Sequence, residues 1–244
     1  QELIEKSEYL NVNIIRGFAV DTPNEYSILF DRILSNVMPF TIKGTIWYQG
    51  EANVTNYDEY QTLFSALIEG WRESWGYEFP FYYVQIAPFT EEGNVGVREA
   101  QRKTLETTEN TGMVVLMDIG ERDDIHPHNK QDVGKRLALL ALDKDYGFNF
   151  VSSGPLYKNH EVKGNFLYVD FDGKGSGLKF INGKNGFEIA GKDNKFYPAT
   201  ADIVENKIRV YSKNVKKPKN VRYGWKNWTV GTLFNKEGLP ASSF

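Results

Sequence analysis

Hydrophobic and polar positions follow two different patterns along the chain, and the change falls near residue 150. Before that point, short apolar runs typical of buried strands alternate with segments whose apolar residues recur at the helical period. The apolar runs cover 42–47, 79–88 and 113–117, and the helical segments cover 26–37, 57–75, 97–109 and 129–145. Strands that alternate with helices predict a parallel, doubly wound α/β sheet.

The helical segment 57–75 is the most regular of these. Its apolar residues share one face at a period of 3.6 residues, namely Tyr60, Leu63, Phe64, Leu67, Ile68, Trp71 and Trp75. Asn56 precedes the segment as a predicted N-cap, and Glu59 stands where a capping box places its acid. Gly76 follows Trp75 and predicts the end of the helix. The turn between the first apolar run and this helix is therefore a strand-to-helix connection.

After residue 150 the chain reads as a series of short strands. Alternating segments at 167–171, 187–190, 201–204 and 207–211 are separated by clusters of Gly, Asn, Asp and Lys. We place a boundary near 152–155. The predicted organisation is an N-terminal segment of uncertain structure (1–25), an α/β domain (26–150) and a β-rich C-terminal region (151–244) that forms an appendage of the sheet.

The composition of the chain excludes several classes of function. With 244 residues and 41% hydrophobic content, the chain can bury a substantial core. A formal net charge of −3 argues against a sequence-independent nucleic-acid surface, which needs an excess of Lys and Arg. The absence of cysteine excludes disulfides and thiolate zinc sites. No apolar run approaches the roughly 20 residues that span a bilayer, so we expect no membrane span.

A cluster of polar residues directly follows the first apolar run, where open α/β sheets place their sites. The cluster comprises Gln49, Gly50, Glu51 and Asn53. An amide donor and a free backbone N–H at a strand end can stabilise an oxyanion or bind substrate. Equally, Gln49 and Asn53 can satisfy backbone groups in a tight turn, and Glu51 can be a buried acid that pairs with an Arg.

A second polar cluster follows the third apolar run and holds two of the three histidines of the chain. Asp123 stands three residues before His126, which is typical of a catalytic base and the acid that orients it. Asp124 is an alternative orienter, and a capped surface turn is the structural alternative. A metal site built on His126 and His128 is disfavoured because Pro127 between them hinders chelation.

These two clusters lie in longer motifs with a familiar pattern. Residues 42–53 read I-K-G-T-I-W-Y-Q-G-E-A-N, and residues 123–127 read D-D-I-H-P, followed by Lys130. With further matches at 186–191, 221–225 and 238–242, the chain resembles the sialate O-acetylesterases of the SGNH hydrolase superfamily. The resemblance covers the chain from about Tyr26 to its end.

The resemblance implies an SGNH or flavodoxin-like sheet and a Ser-His-Asp mechanism that needs no metal or cofactor. A serine would attack the acetyl group of an O-acetylated sugar, most naturally sialic acid. His126 would be the base and Asp123 its orienter, while Gln49, Gly50 or Asn53 would hold the oxyanion. The family also implies export to the periplasm or the cell exterior.

One departure from the family pattern affects the nucleophile. The family carries its serine in a G-x-S-N-like block after the first strand, and this sequence has no such block. Ser7, Ser27 and Ser35 lack the glycine context, and Gly175-Ser176-Gly177 reads as a turn. We therefore expect an incomplete sheet without its first strand, and either a separate N-terminal half that carries the serine or a shortened homologue. The rival function is a non-catalytic carbohydrate-binding module derived from such an esterase.

Overall fold

The structure is a computed structural model that describes residues 27–38 and 40–244. The predicted N-terminal segment 1–25 lies outside these residues, as does the first residue of the predicted helix 26–37. Within the described part of that helix, a π-helical turn (Phe30–Leu34) is followed by a short α-helical turn (Ser35–Val37).

The α/β half contains a three-stranded parallel sheet in the order β1-β2-β3. Its elements in chain order are β1 (Thr45–Trp47), α1 (Tyr57–Trp75), β2 (Phe81–Gln85), α2 (Asn94–Thr107), β3 (Thr111–Val115) and α3 (Lys130–Asp145). Each connection between neighbouring strands passes through one helix. The predicted α/β class with a parallel sheet is confirmed.

Helices cover both faces of this sheet. Phe81 and Tyr83 of β2 belong to one buried cluster together with residues of α1 and α2. Tyr82 and Val84 belong to the opposite cluster together with residues of α3. Successive strand side chains point to opposite faces. A fully buried strand such as β2 therefore needs residues that suit the interior on both faces. Its first four residues are aromatic or aliphatic, and the buried amide of Gln85 at its end donates to the Arg98 carbonyl and to Ser242 Oγ.

The prediction of a buried strand over 42–47 is wrong in its length and in its burial. The observed β1 is three residues long, and Ile46 is 69% exposed. Among the described residues β1 pairs only with β2, so it is an edge strand of this sheet. Trp47 faces inward and packs against Trp71 and Phe81. An apolar run at a sheet edge buries only one of its two faces.

The two predicted ends of α1 agree with the structure to different degrees. A 3₁₀ turn (Glu51–Asn56) precedes the helix. Asn56 is the N-cap residue by position, as predicted, but its side chain makes no capping hydrogen bond. Gly76 adopts a left-handed conformation with φ 75°, and its N–H donates to the carbonyl of Arg72 at 2.9 Å, which confirms the predicted end. Neither α1 nor any other helix in the described ranges is both long and apolar enough to cross a membrane.

The β-rich region after residue 150 is built from antiparallel strands. They form three sheets, ordered β4-β5-β10-β9, β11-β7-β8 and β12-β6. The strands are β4 (Leu156–Lys163), β5 (Phe166–Asp172), β6 (Leu178–Phe180), β7 (Phe187–Ala190), β8 (Phe196–Pro198), β9 (Thr200–Val204), β10 (Lys207–Tyr211), β11 (Asn220–Tyr223) and β12 (Leu233–Asn235). All four predicted segments are strands. Leu167, Ile208 and Val210 lie in their shared core.

Buried hydrogen bonds join the β-rich region to the α/β half. Arg98 of α2 is fully buried, and its guanidinium contacts no described acid. It donates instead to five oxygen atoms, those of the Gly224, Lys226 and Asn227 carbonyls and of the Asn94 and Ser243 side chains. Burial lowers the pKa of Arg98 to about 9, so the group keeps its charge at neutral pH.

Candidate active site

The two polar clusters meet in one pocket beyond the carboxyl ends of the strands. The cavity has a volume of about 330 Å³ and is lined by Tyr48, Gln49, Glu51, Ala52, Ile125, His126 and Lys130. Of the residues predicted for the site, Gln49, Glu51 and His126 line this pocket, whereas Gly50, Asn53 and Asp123 do not. The structure thus brings His126 next to a turn that is far away in sequence.

The first wall of the pocket is the segment 49–53, which we name the glutamine turn. The carbonyl of Gln49 accepts hydrogen bonds from the Tyr60 hydroxyl at 3.0 Å and from Gln101 Nε2 at 3.1 Å. Gln101 Oε1 in turn accepts the N–H of Ile86 at the end of β2, at 2.8 Å. Since Tyr60 and Gln101 are buried, these bonds fix the turn to the sheet and to α2.

Within the glutamine turn, the side chains of Gln49 and Asn53 bind one another. Gln49 Nε2 donates to Asn53 Oδ1 at 2.7 Å, and the N–H of Asn53 donates to the Gly50 carbonyl at 2.9 Å. The two side chains thus bind one another rather than backbone groups of the turn, which differs from the alternative raised from the sequence. An amide nitrogen carries two hydrogens. No described group accepts the second hydrogen of Gln49 Nε2 or either hydrogen of Asn53 Nδ2.

Gly50 is the buried residue of the glutamine turn. A β-carbon at this position would lie 2.9 Å from both Gln101 Nε2 and Ile86 Cγ2, distances that real side chains do not tolerate. The glycine is therefore required by the close approach of α2 and β2 to the turn.

Glu51 and Tyr48 also line the pocket. Within the described part of the chain, Glu51 makes no ion pair with an Arg, in contrast to one alternative raised from the sequence. Burial, with a smaller contribution from Glu51, raises the pKa of Tyr48 to about 12. Tyr48 therefore stays neutral, and its buried hydroxyl has no described hydrogen-bond partner.

The second wall is the segment 118–129, which we name the histidine loop. It is anchored at both ends. Asp118 binds Arg136 of α3 in a bidentate ion pair, with N–O distances of 2.8 and 2.6 Å. At the other end, Asn129 Oδ1 accepts the N–H of Asp132 at 3.1 Å and caps α3. These contacts fix the ends of the loop to the helix that covers the sheet.

The middle of the histidine loop is exposed. The His126 side chain is 86% exposed, and its Nδ1 lies 3.9 Å from Asp124 Oδ1, which is too far for a hydrogen bond. Asp124 Oδ1 instead accepts the backbone N–H of His126 at 2.8 Å. Among the described residues, no hydrogen bond or ion pair joins Asp123 to His126. The structure thus places Asp124, rather than the predicted Asp123, nearest to His126.

The ring of His128 binds the carboxylate of Glu121. His128 Nδ1 lies 2.9 Å from Glu121 Oε2, and this contact raises the pKa of His128 and lowers the pKa of Glu121. Glu121, Asp124 and His128 place three possible ligand atoms within 4.8 Å of one another. This set differs from the pair of histidines considered from the sequence.

Three residues at the site were not singled out for a role by their sequence pattern. Tyr60 and Gln101 lie inside amphipathic helices, where neither the period nor the spacing distinguishes them from packing or surface residues. Lys130 entered only as a letter of the longer motif, and the structure adds that it lines the pocket.

Comparisons with known proteins agree with one another. A family model described as "Carbohydrate esterase, sialic acid-specific acetylesterase" matches residues 13–143, more than half of the chain. The sialate O-acetylesterase of Mus musculus is 28% identical over 246 residues, covering 88% of this chain and 45% of the relative. The sialate O-acetylesterase of Homo sapiens is 31% identical over 203 residues, and the match covers 73% of this chain and 37% of the relative. The chain thus spans less than half the length of these curated relatives.

A solved structure with the same fold is also known. The crystal structure of a carbohydrate acetylesterase from Xanthomonas citri superposes with a TM-score of 0.83 and 40% sequence identity. The match covers 88% of this chain and 53% of that one. The structural likeness therefore extends over both the α/β half and most of the β-rich region.

Proposed function

Because the chain belongs to the sialic acid-specific acetylesterase family of carbohydrate esterases, we propose that it forms the base and oxyanion side of an acetylesterase active site. The substrate is an acetyl ester of a sugar, and most naturally of sialic acid. One observation carries this proposal: His126 and Gln49 line the same pocket although they are far apart in the sequence.

In the proposed reaction a serine hydroxyl attacks the acetyl carbonyl carbon while His126 takes its proton. The tetrahedral intermediate then expels the sugar oxygen, which receives that proton from His126, and water hydrolyses the acetyl-serine in a second round. The serine comes from a part of the enzyme outside the described residues. Supporting this, the chain covers only 53% of the length of the related bacterial acetylesterase.

The glutamine turn provides donors for the oxyanion of that intermediate. The first candidate is the remaining hydrogen of Gln49 Nε2, because that residue lines the pocket. Asn53 Nδ2 and the N–H of Gly50, which belong to the same turn but not to the pocket lining, are the other candidates. Each such donor contributes about 3 kcal/mol to stabilising the transition state when its geometry is fixed in advance. The buried bonds from Tyr60 and Gln101 to Gln49 fix that geometry.

We assign the two neighbouring acids different parts. Asp124 already accepts the backbone N–H of His126 and so shapes the turn. Asp123, whose carboxylate has no described partner, is left to accept from His126 Nδ1 and orient the imidazole when the nucleophile is in place. Asp124 is the alternative orienter, since its carboxylate lies nearer in this structure.

Acetate release tests the proposal. The chain is assayed together with the N-terminal half of the enzyme on an aryl acetate and on O-acetylated sialic acid. Replacing His126→Ala should lower kcat by at least about 10³-fold, with no change in melting temperature because the side chain is exposed. The matched control is His128→Gln, a histidine of the same loop that lies outside the pocket. Unchanged turnover in His126→Ala would remove the esterase assignment.

A second measurement locates the nucleophile and decides between the two functions. Labelling with a fluorophosphonate, followed by mass spectrometry, identifies the reactive serine on whichever segment carries it. Tight sugar binding without turnover or labelling would favour the non-catalytic binding module. Cell fractionation tests the proposed export to the periplasm or the cell exterior.

A further inference from the structure

Lys130 occupies an unusual position among the lysines of α3. Lys135 pairs with Asp132 at 3.4 Å, and Lys144 donates to the Thr111 carbonyl at 3.0 Å. Lys130 instead lines the pocket, with its Nζ 4.9 Å from the centre of the Tyr48 ring. No described carboxylate lies within ion-pair distance of it, so its positive charge is not neutralised by a direct partner.

The aromatic ring beneath Lys130 restrains the ammonium group. Tyr48 packs against the buried clusters on both faces of the sheet. A cation over the face of a neutral aromatic ring is attracted by the ring quadrupole, and the pKa of Tyr48 near 12 keeps the ring neutral. The pocket therefore presents a positive charge at a restricted position.

Glu51 gives the same pocket a negative charge. It lines the cavity with Lys130, but the two side chains do not form an ion pair. A ligand that carries both a carboxylate and hydroxyl groups would match this arrangement. The carboxylate would bind on the Lys130 side, away from repulsion by Glu51, and the hydroxyl groups would donate to Glu51.

From this arrangement we infer that Lys130 binds the carboxylate of an acidic sugar and makes the pocket selective for acetylated sugar acids over neutral sugars. The inference rests on the proposed function, because it concerns the sugar part of the same substrate. Lys130 contacts the ligand in this role and takes no part in the proton transfers.

Binding of the deacetylated product tests this role without requiring turnover. The dissociation constants of free sialic acid and of its methyl ester are measured by titration, since the ester keeps the sugar but removes the charge. The wild-type protein should bind the acid about 10-fold more tightly than the ester. In Lys130→Met, which keeps the apolar stem, the ratio should fall to near one, whereas Lys130→Arg should retain the preference.

Lys135→Met is the matched control, because it removes a lysine from the same helix outside the pocket and should keep the wild-type ratio. Glu51→Gln should also keep the preference for the acid. A wild-type ratio near one, or a preference that survives Lys130→Met, would overturn the inference. If Lys130→Met does not fold, as judged by its melting curve, the wild-type preference must still shrink with added salt, and a salt-independent ratio counts against Lys130.

Hydrolysis separates this inference from the proposed function. A preference for the acid in binding, with no acetate release, would contradict the esterase and leave the Lys130 site standing. Acetate release from the acetylated acid and its methyl ester with equal KM values would support the esterase and contradict the role of Lys130.

Discussion

The glutamine turn and the histidine loop line the same pocket, but the chain holds them in opposite ways. Buried side chains from two helices bind the glutamine turn from behind. Among the described residues, the hydrogen bonds and ion pairs that join the histidine loop to the rest of the chain lie at its ends, and its His126 side chain is exposed. Donors that stabilise a developing charge work best when their positions are fixed beforehand. His126, the proposed base, would by contrast have to meet the proposed serine nucleophile.

This contrast separates two kinds of sensitivity. Substitutions of Tyr60 or Gln101, the buried residues that bind the glutamine turn, should lower both the free energy of unfolding and the activity. The same hydrogen bonds support the core and the site. Changes in the middle of the histidine loop should lower activity with little loss of stability. The three predictions below test this separation in order of expected effect on stability.

The largest effect is expected for Gln101→Leu. This change leaves the Ile86 N–H and the Gln49 carbonyl with fewer partners in a buried environment. We expect a loss of about 1–3 kcal/mol in the free energy of unfolding, measured by urea denaturation, together with lower kcat. The matched control is Gln61→Leu on α1, whose side chain makes one long exposed hydrogen bond. Equal stability of the two variants would remove the contrast between the two walls.

A smaller effect is expected for Asp124→Ala, which removes the acceptor for the backbone N–H of His126. The loss of unfolding free energy should be about 0.5–1 kcal/mol, because the bond lies in an exposed loop. Its neighbour Asp123→Ala should leave stability unchanged but lower kcat if Asp123 orients His126. The opposite pattern, with the larger loss of kcat in Asp124→Ala, would make Asp124 the orienter.

The smallest effect concerns pH. Since Glu121 raises the pKa of His128, NMR titration should place that pKa above the ordinary histidine value, and Glu121→Gln should lower it. A raised pKa in the folded state means that this contact stabilises the loop at pH below the ordinary value and that the stabilisation is lost as pH rises through the raised pKa. Glu121 acts with the opposite sign, so its contribution is lost in acid. An unchanged His128 pKa in Glu121→Gln would show that the contact is absent in solution.

Much of the fold follows from local pattern in the sequence. The strands β7 and β10 match the predicted bounds because turn residues flank a short alternating segment. The end of α1 at Gly76 follows from the glycine alone. Burial at β1 was predicted wrongly, since the number of partners of a strand depends on distant segments rather than on its own apolar residues.

At the candidate site, too, local sequence pattern does not reveal contacts that depend on distant segments. Each polar cluster follows an apolar run, and the carboxyl ends of parallel strands lie along one edge of a sheet, so this pattern indicates that the two clusters lie at the same edge. Gln101 and Arg98 carry no such signal, because a polar residue in a helix is buried only when particular acceptors from elsewhere meet it. For Arg98 four of the five acceptors come from residues more than a hundred positions later.

The buried guanidinium of Arg98 also limits which segments this chain can exchange with a related one. A chimera that combined this α2 with an unrelated β-rich region would have to recreate inward-facing carbonyls where Gly224, Lys226 and Asn227 now stand. Without them the buried guanidinium would lose most of its hydrogen-bond acceptors, which would lower the free energy of unfolding by several kcal/mol. Recombination should therefore be tolerated only when α2 and the turn at 224–227 are inherited together.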